Sequence, residues 1–559
     1  MERSNYWQRL AAQRLSRRRV LAAGGTMALG GAAGIVVGCG GGGNGSGVRT
    51  DGGNVTIGRT TNVLGVDPHI DQTGLSVDRL VYSYLYDWDS VAGEVVLNNL
   101  ASEFEQPEPT TFIFTLRQGV MTHPGEYPGA NEEMTSEDVR QSFLRRGTSI
   151  TDPDKRLAWK IAGSRDPSAL LPALQAPDRC TFKFTMAEPF VPALREMARD
   201  SWAIVPAKVI DEYGLGLSQR AHGSGPFMLE EFRGNERIVL RRHPNYFIEG
   251  CPFVESIIFV VMSEDGALLD ALESGAIDVH GGVVRKEWYD EAKDNPDYRV
   301  ARKPGLSYAA IQVRIKPPYS DIRVREAIDL ALDRDDYIRS ILDGEGQYNG
   351  PVPWPLRQWS LPQDELRAFY KHDRVRAQAL MDEAGYGMGF SDTLKLPRSS
   401  GAMVPAKAPA RVQEQLNAVG ISLEDDELPI SGGLAPILFP GNFSFALSQA
   451  GPFDEPDQAL SPYYSIGPGL SDNFTGHGSP QLDALIDAQS REFDFEKRRG
   501  LVYEAQRSIV REHGATIPLP SGFEYSAHRA HVILQSDYDI IDPPPDILPH
   551  GCDIWLDPD

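Results

Sequence analysis

From Asn54 onward the chain alternates short apolar runs with longer stretches in which apolar residues recur every three or four positions. Val55-Thr56-Ile57 predicts a first strand. Thr111 to Leu116 (TFIFTL) and Thr181 to Met186 (TFKFTM) have strand length and alternation, and are stopped at Gly119 and Pro189. Val239 to Arg241 and Ile257 to Val261 add strands, and Leu268 to Leu272 a helix closed near Gly275. Thr135-Ser136-Glu137-Asp138 has the spacing of a capping box. It predicts a helix running to about Arg146 that buries Val139 and Phe143.

A second region begins near Lys303-Pro304-Gly305. Ile322 to Ile341 reads as two helices broken around Asp333-Arg334, with Val324, Ile328 and Ala331 on one face. Arg374 to Ala384 predicts a helix stopped at Gly385. Arg411 to Val419 predicts one stopped at Gly420 and followed by a strand. Ser479-Pro480 places a cap and an N1 proline before a helix over Leu482 to Ser490. Phe495 to His513 reads as a long helix with Leu501, Val502, Ala505 and Ile509 as its core stripe. These patterns together predict a mixed α/β protein, and 559 residues are too many for one ordinary core.

Charge narrows the partners. The formal net charge is −23, and the residues before Cys39 are themselves basic, so the body is more acidic still. Such a surface repels nucleic acid, because binding phosphate needs a basic face. Four cysteines occur: Cys39, Cys180, Cys251 and Cys552. None has CxxC spacing, which argues against a structural zinc site. A Cys180–Cys251 disulfide is permitted by export, but the expectation is reduced thiols at Cys180, Cys251 and Cys552.

The N-terminal segment reads as an address. Ser16-Arg17-Arg18-Arg19-Val20-Leu21 resembles a twin-arginine export motif, and an apolar run from Val20 to Val37 follows. Val36-Val37-Gly38-Cys39 looks like a lipobox, so residues 1–38 are expected to be a cleaved signal and Cys39 an acylated N-terminus. Five glycines in the apolar run weigh against a retained transmembrane helix. Residues 39–47 then form a Gly-rich tether with a reach of about 15 Å.

Enzyme signatures are absent: there is no GxSxG elbow, HExxH or EF-hand loop. No metal or cofactor is expected. Gly223-Ser224-Gly225-Pro226-Phe227 lacks the Lys-Ser/Thr of a phosphate loop and reads as a turn. Asp67-Pro68-His69 reads as a turn held by Asx and proline chemistry rather than a metal or catalytic pair.

A series of fragments in order resembles the bacterial extracellular solute-binding proteins of family 5, which serve peptide, nickel and related ABC importers. They include Asp67-Pro68-His69, Phe112 to Val120 with His123, Met134 to Val139, Gly223 to Phe227, and His243 to Phe247. Ala271 to Val279, Pro317 to Arg334, Glu383 to Tyr386, Gln413 to Ile421, and Ile517-Pro518-Leu519 follow. The resemblance implies a two-lobed, type II periplasmic-binding-protein-like fold with mixed sheets, a hinge, and solute buried between the lobes. It places lobe I at residues 48–87, 203–304 and 515–559, an inserted subdomain at 88–202, and lobe II at 305–514. It also implies a monomer that closes on a small-molecule or peptide solute and delivers it to an ABC permease and its ATPase.

The same resemblance nominates a pocket. Gln72, Thr73 and Gly74 are candidates from lobe I, and Tyr308, Gln312 and Arg314 from lobe II; Trp354 and Trp359 offer aromatic surface. Gln449 to Asp457 (QAGPFDEPD) supplies Gln449, Gly451, Phe453, Asp454 and Asp457. In peptide-binding relatives a carboxylate in this stretch anchors the ligand's ammonium group. Alignment on Phe453 and Glu455-Pro456 puts Pro452 in its place, and proline can neither pair with an ammonium nor donate a hydrogen bond. Arg314 brings a guanidinium suited to a carboxylate or phosphate. Three readings follow: a receptor for an oligosaccharide, anionic compound or modified peptide; an oligopeptide receptor with a displaced amine anchor; or an exported lipoprotein hydrolase or interaction protein on the same scaffold.

Overall fold

Strand Asn54–Arg59 buries Val55 and Ile57 on one face and is the hub of the larger of two main sheets. It runs parallel to Ser256–Val261 on one side and to Val279–His280 on the other. The seven strands lie in the order 298–304, 523–529, 279–280, 54–59, 256–261, 237–242 and 227–233. Their core gathers Val55, Leu80, Phe227, Ile257 and Phe259. The computed structural model describes residues 51–71, 75–89, 94–149, 156–164, 166–262, 264–397, 404–428, 435–438, 440–465, 473–534, 552 and 554–557. The proposed signal, Cys39 and the tether lie outside the described residues, as do Gln72, Thr73 and Gly74.

The second sheet has the order 421–428, 390–397, 445–450, 308–313 and 516–518. Both flanking helices expected between Ile322 and Ile341 are present, as Ile322–Ala331 and Arg334–Ile341. Asp333 causes the break: its side chain accepts the Asp336 N–H and restarts the helix. Val324, Ile328 and Ala331 face the core formed with Leu380, Met381, Leu394 and Phe445. A satellite core joins Pro480–Arg491 and Phe495–Arg511 through Leu482, Ile486, Val502 and Ile509.

A separate four-stranded sheet (101–108, 111–116, 181–185, 174–175) forms the inserted subdomain. The alternation of TFIFTL and TFKFTM puts Phe112, Phe114, Phe182 and Phe184 on one face, where Phe112 stacks on Phe184 and Phe143 of the helix Ser136–Thr148 packs tilted against Phe182 and Phe184. The chain passes between the two main sheets twice, at 305–307 and 519–522, and Gly305 N–H donates to Gly522 O across the pair. The second crossing comes later than the expected boundary at 515. Thr516–Pro518 still pairs with Tyr308–Val313, and the large sheet resumes only at Phe523.

The cysteine expectation is corrected. Cys251 pairs with Cys552, while Cys180 is free and half-buried. The C-terminal strand Ile554–Leu556 pairs with Val532–Leu534, and Ile554, Val532 and Leu534 sit in the lobe I core. That docking carries Cys552 to Cys251. Among the described residues no helix is long and apolar enough to cross a membrane.

Candidate functional site

The stretch nominated from sequence is a sharp turn at the end of strand Phe445–Ala450. Gly451 has φ +99, and a Cβ there would stand 2.8 Å from Leu306 O, so the turn needs glycine. Phe453 N–H donates to that same Leu306 oxygen at 3.2 Å, which ties the turn to the crossing segment at 305–307. Pro452 is exposed between them. Helix Pro456–Leu460 follows, and Glu455 accepts the Asp457 N–H.

Each carboxylate of Asp454-Glu455-Pro456-Asp457 meets an arginine. Arg195, on the inserted subdomain, forms an ion pair with Asp454. Arg498, with no exposed side-chain surface, pairs with Glu455. Arg156, again from the inserted subdomain, donates to Asp457 at 2.7 Å. Burial works to raise the Asp454 carboxyl, but the charges of Arg195 and Arg199 outweigh it and hold the group below the usual range. Burial pushes the Glu455 carboxyl up against the pull of Arg498.

The Arg195 and Arg156 pairs cross from the inserted subdomain to lobe II, and others join them. Arg491 pairs with Glu188 at 2.6 Å, Lys160 lies 3.6 Å from Asp487, and Val191 N–H donates to Ser490 O at 2.7 Å. The structure is therefore closed along this seam, with the carboxylate turn on its lobe II side.

The other nominated residues divide. Tyr308 pairs with Ala450 in the sheet, its ring lies 6.1 Å from that of Phe453, and its hydroxyl donates to Pro351 O. Gln449 is half-buried beside it on the neighbouring strand. Gln312 lies about 13 Å further along its strand and Arg314 about 20 Å, by the rise per residue. Gln312 accepts the Thr516 hydroxyl at 2.6 Å, and Arg314 donates to Phe474 O between Gly441 and Gly476. Neither joins the Phe453 turn. Strand alternation gives the face of a side chain but not which end of the strand meets the other lobe.

The two tryptophans are braced. Trp354 donates its indole N–H to Ser521 O at 3.1 Å and packs edge-on to Phe523. It borders a cavity of about 400 Å³ shared with Gln347, Arg357, Gln363 and Tyr503. Trp359 is half-buried, edge-on to Phe495 with the Arg498 guanidinium 4.9 Å from its ring centre.

Asp67-Pro68-His69 is scaffold. Asp67 accepts the His69 N–H at 3.1 Å and binds Arg145 through both oxygens, while His69 Nε2 lies 2.9 Å from Ala203 O. Burial, with Arg145 second, lowers the His69 pKa to about 3. Gly223-Ser224-Gly225 packs flush on a helix end, where a Cβ on Gly225 would lie 2.6 Å from the Val81 carbonyl carbon. Arg156, Arg195 and Arg498 were not found from sequence. The only signal was the unexplained run of acids at 454–457, since buried carboxylates require cations.

Residues 95–470 match the family described as bacterial extracellular solute-binding proteins, family 5 Middle. A probable di/tripeptide-binding protein 5 of Pseudomonas aeruginosa (strain UCBPP-PA14) is 25% identical over 487 residues, covering 82% of this chain and 88% of that one. The Helicobacter pylori periplasmic binding protein DppA in complex with the peptide STSA superposes with a TM-score of 0.76 at 20% identity, over 91% of this chain and 99% of that chain. AgaA from A. tumefacien R10, in complex with agropinic acid, gives 0.73 at 22% identity over 89% and 100%. Both share the two-lobed, type II periplasmic-binding-protein fold. The chain belongs to the bacterial extracellular solute-binding proteins of family 5, the substrate-capturing components of ABC importers.

Proposed function

We propose that this protein is a lipid-anchored receptor for a solute without a free ammonium group: an oligosaccharide, an anionic compound or a modified peptide. One observation carries the reading. Pro452 stands where peptide-binding relatives are expected to have their anchoring carboxylate, and the three carboxylates that follow are each engaged by an arginine of the same chain. A ligand ammonium would have to displace a guanidinium to find its counter-charge. The structural relative bound to agropinic acid supports the idea that this scaffold accommodates such solutes. Capture between the lobes, closure and delivery to the permease and its ATPase then follow from the family's architecture. The mature protein acts as a monomer held to the outer face of the cytoplasmic membrane through Cys39, after export by the twin-arginine route.

A second reading, an ordinary oligopeptide receptor, is favoured by the di/tripeptide-binding name of the Pseudomonas relative. A thermal-shift screen of residues 48–559 against free-amine peptides, oligosaccharides and anionic metabolites separates the two. A ligand at 100 times its Kd stabilises by about 2.7 kcal/mol. Shifts with sugars or anions alone support the first reading; a shift with free-amine peptides supports the second and sinks the first. For the anchor, Cys39→Ser is expected to release the protein from the membrane fraction.

A further inference from the structure

We infer that Arg195 is a built-in occupant of an amine subsite, and that it excludes free-amine ligands by taking the Asp454 carboxylate for itself. The inference rests on the reading just given and names the residue responsible for it.

Asp454 is two residues beyond Pro452, on the same turn, and is the first carboxylate in the chain after the position where peptide-binding relatives are expected to hold a ligand ammonium. One of its oxygens, Oδ2, receives the Arg195 guanidinium; the other, Oδ1, is buried with no hydrogen-bond partner. Arg195 and Arg199 hold the carboxyl below its usual range against burial, while Oδ1 lacks a well-aligned donor. Two such oxygens on a charged group are what a primary ammonium, with three donors, would use.

Arg195 is held in place from its own side. It sits in the short helix Ala193–Glu196, where the Tyr86 hydroxyl donates to Leu194 O at 2.7 Å, and its guanidinium lies 5.7 Å from the Trp88 ring centre. The residue is 7% exposed. A guanidinium so fixed loses little freedom when the lobes close, whereas a ligand ammonium must be captured from solution. Closure itself thus delivers a cation to Asp454. Without Arg195 the closed state would bury a carboxylate that has lost its ion-pair partner and keeps only the charge of Arg199 nearby, and a ligand ammonium would be the group that restores the balance.

Titration calorimetry with trialanine and N-acetyl-trialanine tests this on the wild type, Arg195→Met, Arg195→Gln, Arg195→Lys and the double variant Arg195→Met/Asp454→Asn. The wild type is expected to show no preference between the two peptides. Arg195→Met and Arg195→Gln are expected to bind trialanine at least tenfold more tightly than the acetylated form. Arg195→Lys keeps the cation and should match the wild type, and the double variant should lose the gained preference. Met and Gln differ in polarity, so a folding defect in one leaves the other to decide. Folded variants without the preference overturn the inference and leave the functional reading standing. A wild-type preference for trialanine overturns both.

Discussion

Arg498 and Arg156 bring the same group to carboxylates two positions apart, with different consequences. Arg498 meets Glu455 inside lobe II, so its pair forms when that lobe folds. Replacing it with Met leaves a buried carboxylate without a cation. Arg498→Met is expected to cost about 3–5 kcal/mol of unfolding free energy, read from the urea midpoint. A change below 1 kcal/mol would mean that Glu455 is protonated in the native state. Buried histidines act at the same scale. Burial, with His243 second, lowers the pKa of His123 to about 3; burial, with Arg325 second, lowers that of His477 to about 4; His69 falls to about 3. Each is depressed below its unfolded value of 6.5, so the unfolded chain takes up these protons first. Their contribution is complete above pH 6.5 and is lost as the pH falls toward 3–4. At pH 5 each is expected to have cost about 2 kcal/mol, with proton uptake on denaturation measurable in paired weak buffers. No uptake at pH 5 would contradict their neutral burial.

Helix Ser136–Thr148 shows what one residue can do for an element. Asp138 accepts the Thr135 N–H at 2.7 Å and the Thr135 hydroxyl at 2.8 Å through one oxygen, and the Ala207 N–H at 2.8 Å through the other. It therefore starts the helix and ties it to the segment that returns to lobe I. Asp138→Ala is expected to destabilise by about 2–3 kcal/mol and to speed hydrogen exchange at the Ala207 amide, whereas Thr135→Val should lose less. Equal effects of the two changes would remove the tie to Ala207 from the account. The capping spacing was legible in the sequence because it is local, as were the breaks at Asp333 and Ser479 and the aromatic face of TFIFTL. The candidate site was legible only in part. Tyr308 and Gly451–Phe453 come together through adjacent strands, but the partners of Asp454 and Asp457 lie 259 and 301 positions away on short helices of another subdomain. Nothing local marks Arg195 or Arg156 as their cations.

The Cys251–Cys552 disulfide was hidden for the same reason, since its ends are 301 residues apart and only the docking of the C-terminal strand joins them. The Cys251→Ser/Cys552→Ser variant is expected to lose about 2–5 kcal/mol against thermal or denaturant unfolding. Closure is a separate equilibrium of the whole molecule. Along the seam, Arg156 and Asp457 keep only 8% and 6% of their side-chain surface exposed, so closing strips both ions of water. Desolvation and attraction nearly cancel for such a pair. This pair therefore neither forces the lobes together nor holds them apart by itself, which leaves the solute's free energy to shift the population. Removing one ion breaks that balance. Arg156→Met leaves Asp457 with the Gln489 side chain but no cation in the closed state, and the protein escapes the cost by opening. Arg156→Met/Asp457→Leu removes both charges and with them the cost of desolvating either. By small-angle scattering without solute, the single variant should have a larger radius of gyration than the wild type, and the double variant one no larger. Solute binding should weaken at least tenfold in the single variant and recover in the double. If the single variant stays as compact as the wild type, the seam contributes nothing to closure, and the arginine pairs belong to the scaffold alone.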